Sequence, residues 1–498
     1  MRMETRNVFL NISPIDHRYS VSGKNLFERL GLWISEEAAV ASCVKAEIAL
    51  VKAHLVSRGL FTPEAKLALE EAERSIVPAD VYAEEEKTQH NIRALVNVLK
   101  KAVPVEFAPL VHLGATSVDI LDTALAYRMK GACENVVLPL LRDLELRLCD
   151  LAEREADTPQ VGRTHGQHAV PITFGFAMAE YVSRLGKSIL EIERRADMLH
   201  GKLAGAVGAY NATSVLVADP EGLERAYLSE LGLEPSEHST QLVEPEYLLR
   251  LLLEMNVAFG IIANLADDLR NLQRSEIGEL RENFGADQVG SSTMPQKRNP
   301  WNSEHVKSLW KAFSPRVITF FMDQISEHQR DLTNSASQRF MADYVAGFCQ
   351  AVSRMTEVMA GLGVNRPKML SNLRGPGFGG AEADAAGGVR GGVLAEPAYI
   401  LLAESGETDA HETIRRITLE AESRGLSFAE ALALHPQTLS LIAGKMVELG
   451  LVATKEDAAS FFAKPELYRG LSAEKARRLA EKYNALMGIV LREGARVE

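Results

Sequence analysis

Two long segments of the chain repeat apolar residues with the spacing of an α-helix. In the first segment, apolar residues recur alternately four and three positions apart over about three heptads. They are Met178, Val182, Leu185, Ile189, Ile192, Ala196 and Leu199. The second segment contains Leu248, Leu251, Met255, Ala258, Ile262, Leu265, Leu269 and Leu272. Since this spacing keeps one apolar stripe turned toward a neighbouring helix, both segments predict long helices of a coiled-coil-like bundle.

Three further segments show helical periodicity, at about residues 122–156, 302–327 and 336–362. Helices of about 25–35 residues exceed the usual length of about three turns. The alternation of Val, Ile and Thr that is typical of strands is nearly absent. The pattern therefore predicts an all-α fold built around a central bundle of long helices.

Changes in composition divide the chain into three predicted helical domains. Short helices separated by loops such as "GLFTPEA" and "VPADVY" indicate an N-terminal domain at residues 1–111. The long-helix pattern fills residues 112–365, and shorter helices return in residues 366–498.

A stretch rich in Gly and Ala, "RGPGFGGAEADAAGGVRGG", lies near the start of the third domain. Gly375, Gly377 and Gly380 form a formal GxGxxG match in it. A dinucleotide site requires this motif to follow a strand and open a helix, whereas no strand precedes it here and Pro376 interrupts it. We interpret the stretch as a mobile loop or a connection between domains.

Composition and charge restrict the class of protein. The chain has 498 residues, of which 46% are hydrophobic and 24% charged, and a net charge of −12. Its length predicts two or three domains or one very large helical body. The acidic balance argues against nucleic acid as the main partner, although a few arginines can still hold a small anion.

Neither the apolar pattern nor the cysteines indicate a membrane or secreted protein. No run of about 18 apolar residues occurs, and the N-terminus has no signal-peptide pattern. The four cysteines, Cys43, Cys133, Cys149 and Cys349, form no CxxC pair. We expect buried thiols rather than disulfides or metal ligands, and a cytoplasmic location.

Four polar segments interrupt the helical pattern. "TQHNIRALV" contains His90, and "VHLGATSVDILDTA" contains His112, Thr116, Ser117 and Asp119. The third is "GRTHGQHAVPITFG", and the fourth is "GADQVGSSTMPQKRNP", residues 285–300, which we call the signature loop. Each has a structural alternative: the Thr-Ser-Asp group can simply cap the following helix, and a single histidine is more often structural than catalytic.

The third segment is harder to explain as structure alone. Arg163, Thr164, His165, Gln167 and His168 crowd into what we interpret as a loop between long helices. The spacing of the two histidines can indicate a metal site, but no HExxH motif or nearby Cys or Asp completes a ligand set. We expect neither a metal nor a cofactor.

The signature loop combines a flexible backbone with polar side chains. Gly285 and Gly290 free the backbone, while Pro295 and Pro300 interrupt any helix. Lysine and asparagine in such a loop can hold a dicarboxylate. Serine becomes a base only if loop closure excludes water and surrounds the oxyanion with donors, and a histidine elsewhere can supply a proton.

The segment "GSSTMPQKRNP" resembles the signature loop of the aspartase/fumarase superfamily, whose pattern is approximately Ser-Ser-x-Met-Pro-x-Lys-x-Asn-Pro. The resemblance extends over about residues 13–440. The segments "SPIDHRYS", "RTHGQHAVPITFG", "STQLVEP" and "RDLTNSASQR" are most similar to the adenylosuccinate lyase branch. The resemblance implies an all-helical homotetramer, with each active site assembled from three subunits at the central bundle.

The resemblance also implies roles for individual residues. Ser291 matches the general base that removes the Cβ proton of the succinyl group, and His165 matches the general acid for the leaving nitrogen. Lys297 and Asn299 match residues that bind the succinyl carboxylates and the aci-carboxylate, and Glu304 matches the carboxylate that orients the catalytic histidine. Further substrate contacts are expected at His90, Asn91, His112, Thr116, Ser117, Thr164, Gln241 and Ser292.

The nucleotide end of the site is expected at two other segments. Arg18 and Tyr19 match phosphate and purine contacts. Arg330, Ser335 and Arg339 match other phosphate-side ligands, and arginine offers the planar donor fork that phosphate binds. The implied reactions release fumarate from adenylosuccinate, giving AMP, and from the succinylcarboxamide ribotide of purine synthesis, giving AICAR.

Two positions depart from the branch and leave alternatives open. Gln296 stands where histidine is common and is familiar from argininosuccinate lyase, and Asn91 stands where aspartate is common. The alternatives are a carboxymuconate cycloisomerase, an argininosuccinate lyase, or a non-catalytic structural member of the superfamily. His165 argues against the first, the phosphate-side segments argue against the second, and the intact polar set argues against the third.

Overall fold

A computed structural model gives the structure of the protein. It describes residue 7 and residues 10–285, 290–375 and 392–494, with the backbone alone for residues 489–494. Residues 286–289 of the signature loop lie outside the described residues, as does most of the Gly-rich stretch with the GxGxxG interpretation made for it.

Helices dominate the described chain. The first half contains α1 (Arg18–Ser22), α2 (Lys24–Ile34), α3 (Glu36–Ser57), α4 (Pro63–Ser75), α5 (Pro78–Thr88), α6 (Asn91–Ala102), α7 (Ser117–Ala132), α8 (Leu138–Arg154), α9 (Phe174–Asp197), α10 (Thr213–Leu216) and α11 (Pro220–Ser229). The second half contains α12 (Glu246–Leu272), α13 (Trp301–Phe313), α14 (Arg316–Met322), α15 (Ser335–Arg339), α16 (Met341–Ala360), α17 (Arg366–Leu373), α18 (Ala395–Glu404), α19 (Ala410–Arg424), α20 (Phe428–Ala433), α21 (Pro436–Glu448), α22 (Lys455–Phe462) and α23 (Ser472–Gly494).

The described strands are short and form three two-stranded sheets. Strand β1 (Pro159–Thr164) pairs antiparallel with β2 (Gln167–Thr173). Strand β3 (His200–Gly201) pairs parallel with β4 (Glu234–Pro235), and β5 (Leu280–Arg281) pairs antiparallel with β6 (Gly363–Val364). The predicted all-α class is confirmed, and β1 and β2 show that the segment interpreted as a loop is a β-hairpin.

The two apolar series lie on the helices that they predicted. The members of the first series from Met178 to Ala196 lie in α9, Leu199 follows the end of the helix, and all are at most 2% exposed. The segment 122–156 is helical through α7 and α8, joined by a π-helical turn at Cys133–Val137. The single helix expected at 302–327 is instead split between α13 and α14 because Pro315 supplies no N–H to continue the ladder.

The chain divides into two compact units. Unit 1 comprises Met1–Asp143, Lys187–Ala263 and His305–Arg354, and unit 2 comprises Leu144–Gly186, Asn264–Glu304 and Met355–Glu498. The boundaries between them fall inside helices α8, α9, α12, α13 and α16. The division into three domains remains a prediction.

Close helix packing builds the core of unit 1. The rings of Phe259 and Phe348 meet edge to face with their centroids 5.4 Å apart. Helix α7 approaches α2 closely at Gly131, where an added Cβ would lie 1.9 Å from the ring of Trp33. Any larger residue at this position therefore has to displace the indole.

The C-terminal helices of unit 2 enclose an apolar core of their own. Leu402, Phe428, Ile442 and Phe462 are all at most 2% exposed. Phe428 packs edge to face on Phe462 with ring centroids 6.1 Å apart. Burial of such large rings dominates the stabilisation of a small helical cluster.

The cysteines are free thiols, as the sequence predicts. Cys133, Cys149 and Cys349 are buried, and Cys43 is partly buried. Burial raises the pKa of Cys133 to about 12, so that this side chain stays a neutral thiol at physiological pH.

By length and composition, helix α12 is the one helix in the described ranges that meets the criterion for a membrane span. More than half of its apolar window is buried inside the structure, and Leu251, Met255 and Phe259 are fully covered. This burial is typical of the central helix of a globular core, which meets the same criterion.

A buried acid lies in α8 of unit 2. Glu145 is fully buried, and neither of its carboxyl oxygens has a hydrogen-bond partner in the described chain. An added Cβ at Gly186 would lie 2.8 Å from Glu145 Oε1 and 2.3 Å from the ring of Tyr483. Burial raises the pKa of Glu145 well above its usual value.

We expect Glu145→Gln to stabilise the protein at alkaline pH. Because the pKa is higher in the folded state, stability falls as pH rises from the unfolded value of about 4.5 toward the folded one. The amide removes this loss, so its melting temperature exceeds that of the parent by about 2 °C or more at pH 8 and by less at pH 5. Thermal melts at both pH values measure it, with exposed Glu153→Gln on the same helix as control. An equal gain at both would contradict the assignment.

Candidate active site

The described part of the signature loop turns sharply at Ser291. The serine Oγ accepts hydrogen bonds from the backbone N–H of Thr293, at 3.3 Å, and of Met294, at 3.1 Å. The side chains of Ser292 and Lys297 are exposed beside it. Two N–H donors directed at one hydroxyl oxygen favour negative charge on that oxygen, which is the requirement for a serine base.

A contact across the loop joins its two ends. Asn299 Nδ2 donates to the carbonyl oxygen of Gly290 at 3.0 Å. An added Cβ at Gly290 would lie only 2.2 Å from the carbonyl oxygen of Lys297, so a side chain there would force the two backbone segments apart. Gly290 and Asn299 together hold Ser291 and Lys297 in one closed loop.

A buried carboxylate fixes the exit of the loop. Glu282, 5% exposed, accepts hydrogen bonds from the backbone N–H of Asn302 at 3.2 Å and of Ser303 at 3.0 Å. The side chains of both residues also donate to it. Glu282 therefore satisfies the free N–H groups at the start of α13, where the helix dipole favours an anion. Glu282 lies in no recognisable motif and was not predicted from the sequence.

His165 lies at the tip of the β1–β2 hairpin. Thr164 pairs with Gln167 across the hairpin, leaving His165 and Gly166 as its two-residue turn. Their φ angles are +55° and +75°, as the tight turns of hairpins require. Residues 164–168 are exposed, and the His165 ring has no hydrogen bond, ion pair or ring contact among the described residues. Gly166, which adopts a positive φ without strain, was the signal in the sequence for this turn.

The base of the hairpin is anchored by Glu279. This fully buried carboxylate pairs with the Arg163 guanidinium through both of its oxygens. It also accepts hydrogen bonds from Gln160 Nε2 and Asn372 Nδ2, each at 2.8 Å. The Arg163 side chain is thus used to hold the hairpin in place. Its partner Glu279 is, after Glu282, a second buried carboxylate that no sequence motif marks.

In unit 1, His90 and Asn91 lie at the start of α6. His90 Nδ1 accepts the N–H of Arg93 at 3.3 Å and caps the helix, and Asn91 Oδ1 accepts from the N–H of Ile92 at 2.8 Å. Both residues are exposed. His90 therefore has a structural role as a helix cap, which still leaves the rest of its ring available to a ligand.

Thr116 and Ser117 lie at the start of α7, where the capping interpretation holds. The N–H of Thr116 donates to Asp119 Oδ2 at 2.8 Å. Asp119 is fully buried and forms an ion pair with the fully buried Lys202. Since Asp119 is engaged in this way, the half-buried Thr116 and Ser117 are the groups that remain available, at a helix end that favours anions.

Arg18 and Tyr19, the predicted phosphate and purine contacts, are the first two residues of helix α1. The ring of Tyr19 stacks on that of His305, with centroids 5.8 Å apart and planes 28° apart. Burial lowers the pKa of His305, and the charges of Arg354 and Arg18 lower it further. His305 thus contacts a candidate site residue, although it was not among the predicted ones. It directly follows Glu304, which is exposed on α13.

Gln241 lies next to the segment that carries the other predicted phosphate ligands. Its N–H donates to the carbonyl oxygen of Gln329 at 3.2 Å. Arg330 Nη1 donates to the carbonyl oxygen of Gln324 and to Ser326 Oγ, both at 2.8 Å. Ser335 and Arg339 lie exposed at the two ends of α15.

Left-handed backbone is concentrated at these segments. Among the described residues other than glycine, positive φ angles occur at Gln89, His112, His165, Tyr210, His328 and Arg330. Three of these six are candidate site residues, and Gln89 precedes a fourth. Since such conformations are strained for residues with a side chain, their clustering is typical of functional segments.

The candidates fall in both units. Unit 1 carries Arg18, Tyr19, His90, Asn91, His112, Thr116, Ser117, Gln241, Arg330, Ser335 and Arg339. Unit 2 carries Thr164, His165, Ser291, Ser292, Lys297, Asn299 and Glu304. No group of three or more His, Cys, Asp or Glu residues in the described ranges is arranged to hold a metal ion.

Comparison with known proteins places these features in a family. A family model described as "Lyase" matches residues 16–312. The chain is 31% identical over 476 residues to an adenylosuccinate lyase of Pyrococcus abyssi, covering 94% of this chain and 96% of that protein.

Two solved structures share the fold. A fumarate lyase from Mesorhizobium sp. BNC1 has a TM-score of 0.74 at 21% identity, covering 92% of this chain and 97% of that one. A 3-carboxy-cis,cis-muconate lactonizing enzyme from Pseudomonas putida has a TM-score of 0.74 at 23% identity, covering 93% and 97%. The match to a lyase model over more than half of the chain, and to an adenylosuccinate lyase over nearly all of it, means that the chain belongs to the adenylosuccinate lyase family of the aspartase/fumarase superfamily.

Proposed function

We propose that this lyase releases fumarate from adenylosuccinate, giving AMP, and from the succinylcarboxamide ribotide of purine synthesis, giving AICAR. The observation that carries the proposal is the closed signature loop, in which the Ser291 hydroxyl faces two N–H donors and Lys297 is exposed beside it. The near full-length likeness to an adenylosuccinate lyase supports the choice of substrate.

In this proposal Ser291 is the general base of an anti elimination. Its oxygen takes the proton from Cβ of the succinyl group, and the electron pair left on carbon is delocalised into the adjacent carboxylate. Lys297 and Asn299 bind the carboxylates, where the lysine charge stabilises the aci-carboxylate. The Cα–N bond then breaks, and its electron pair leaves with the nitrogen.

His165 completes the reaction by protonating the departing nitrogen. A histidine titrates near neutral pH and is therefore able to deliver a proton at physiological pH. Glu304 orients this imidazole. Thr116 and Ser117 bind the succinyl carboxylates at the start of α7, with Thr164, Ser292, Gln241, His90, Asn91 and His112 lining the rest of the site.

The nucleotide occupies the arginine-rich segments of unit 1. Arg18, Arg330, Ser335 and Arg339 bind the phosphate, and Tyr19 contacts the purine. The stack of Tyr19 on His305 supports this role, since a tyrosine ring held from one side is preorganised to contact a base on the other.

We also propose that the enzyme is a cytoplasmic homotetramer with active sites shared between subunits. Exposed apolar side chains on and after α14 support an oligomer, since Phe321, Met322 and Ile325 are 52%, 64% and 84% exposed. Such a surface on a single chain is typical of one that another subunit covers.

The direct test is turnover. The purified protein is incubated with adenylosuccinate, the succinylcarboxamide ribotide, argininosuccinate or carboxymuconate, and fumarate, AMP and consumption of each compound are followed by absorbance. We expect turnover of the first two compounds alone. Consumption of argininosuccinate or carboxymuconate instead would reassign the branch, and a folded protein that acts on none would be a non-catalytic member.

The phosphate assignment predicts the effect of Arg330→Ala. Loss of a charge-assisted arginine–phosphate contact weakens AMP binding by about tenfold or more. Titration calorimetry with AMP measures this change, and thermal melting measures folding. As control, Arg225→Ala removes an exposed arginine of unit 1 and leaves AMP affinity unchanged. An unchanged affinity in the Arg330 variant would remove this residue from the phosphate site.

A further inference from the structure

Two polar side chains of helix α3 support the loop that carries His112. Glu47 Oε1 lies 2.7 Å from His112 Nδ1, and His54 Nε2 lies 2.8 Å from the carbonyl oxygen of Leu113. Glu47 and His54 are both fully buried, and they are seven residues apart, which places them on the same face of α3. The helix therefore holds the loop at two successive residues.

The contact with His54 is a fixed structural bond. A carbonyl oxygen can only accept, so His54 Nε2 carries the proton. Burial lowers the pKa of His54, so the ring stays neutral, and its Nδ1 has no partner in the described chain. This bond holds the backbone at Leu113, next to His112, whose own φ is +62°, a conformation unusual for a residue with a side chain.

The contact with Glu47 differs because core stability does not explain it. Glu47 Oε2 has no hydrogen-bond partner in the described part of the chain, so the hydrogen bond to His112 is the one that the buried carboxyl makes there. A buried carboxyl with one oxygen unsatisfied lowers the stability of the fold. Residues that break such a rule without a structural gain are found mainly at functional sites.

The imidazole faces two different environments. Its Nδ1 is held by the buried carboxyl, while 21% of the side chain is exposed and Nε2 has no hydrogen-bond partner among the described residues. The Nδ1–H tautomer lets the ring donate this hydrogen bond to the Glu47 carboxylate oxygen. Nε2 is then left for a ligand.

We infer that Glu47 is a positioning residue of the active site, which fixes His112 as the Nδ1–H tautomer and aims its Nε2 at an anionic oxygen of the substrate. This inference rests on the proposed function, since it takes His112 to line the site. Once an anion lies against Nε2, a protonated ring donates from both nitrogens, from Nδ1 to Glu47 and from Nε2 to a carboxylate or phosphate of the substrate. A ring held in this way binds an anion more tightly than a freely rotating imidazole does, because its orientation is set before binding.

Two variants separate the charge of Glu47 from its hydrogen bond. Glu47→Gln keeps an acceptor oxygen and loses the charge, while Glu47→Leu loses both. We expect kcat/KM for adenylosuccinate to fall by about tenfold or more in the leucine variant and by less in the glutamine variant. Exposed Glu37→Gln on the same helix is the matched control, and we expect its kcat/KM within about twofold of the parent.

A double-mutant cycle tests whether Glu47 acts through His112. We expect Glu47→Leu to add nothing to the loss caused by His112→Asn, because the carboxylate has no other route to the substrate. Losses that multiply would overturn the inference. So would a melting temperature that falls in step with activity in the leucine variant, which would make the role of Glu47 structural.

A spectroscopic readout is independent of the reaction. In protein labelled with 15N-histidine at pH 9, the His112 signals, assigned by their absence from His112→Asn, report which nitrogen carries the proton. We expect Nδ1–H in the parent and in Glu37→Gln, and a shift to Nε2–H in Glu47→Leu. An Nε2–H form in the parent would overturn the inference. If the tautomer is as expected but adenylosuccinate is not consumed, the proposed function fails while the pairing of Glu47 with His112 stands.

Discussion

Replacing Ser291 by alanine lowers kcat for fumarate release by about a hundredfold or more and leaves the fold intact. The hydroxyl is the group proposed to take the Cβ proton, and alanine has no atom to replace it. The contact of Asn299 with the Gly290 carbonyl, which closes the loop, does not involve this hydroxyl, so we expect the loop to keep its shape.

The matched control for this variant is Thr293→Ala. The Thr293 side chain is exposed, and its backbone N–H, which donates to Ser291, is unaffected by the substitution. We expect a rate within about twofold of the parent in steady-state assays. Equal rates for Ser291→Ala and Thr293→Ala would remove Ser291 from the mechanism.

Replacing His165 by alanine also lowers kcat by about a hundredfold or more, because the nitrogen then departs without a positioned acid. His165 lies at an exposed hairpin tip without a hydrogen bond, ion pair or ring contact among the described residues, so the substitution removes no such interaction there. His411→Ala, which removes an imidazole from the C-terminal helices, is the control and keeps its rate. Turnover near that of the parent in His165→Ala would assign the acid to another residue.

Mixing the two inactive variants tests the shared site. If Ser291 and His165 of one site come from different subunits, randomly reassembled tetramers contain some sites with both residues intact. For equal amounts of the two variants, about a quarter of the sites are complete. Fumarate release is measured after the subunits have been exchanged in dilute denaturant and refolded. Absence of any recovery from exchanged tetramers would place both residues in one subunit.

The helical framework could be predicted from the sequence because its signals are local. The apolar series of α9 and α12 mark their own buried faces. The break between α13 and α14 was not predicted, although Pro315 is its local signal. The hairpin was missed because only two residues, His165 and Gly166, form its turn. Its strand β2 contains Pro171, which weakens the strand pattern further.

The supports of the candidate site could not be predicted from the sequence. Glu279 pairs with an arginine 116 positions away, and Glu47 contacts a histidine 65 positions away. A buried glutamate in a sequence looks the same as an exposed one, since its burial depends on which distant helices pack around it. The residues proposed to touch the substrate come from motifs, whereas their buried carboxylate partners lie in segments without a motif.

The left-handed turn at His165 has an evolutionary consequence. Asparagine adopts this backbone shape readily, and one base change converts a histidine codon into an asparagine codon. A duplicated gene can therefore lose the proposed proton donor in a single step, while its product keeps the hairpin. Relatives that have been recruited as inert scaffolds are expected to carry this exchange, and a survey of position 165 would separate them from working enzymes before any assay.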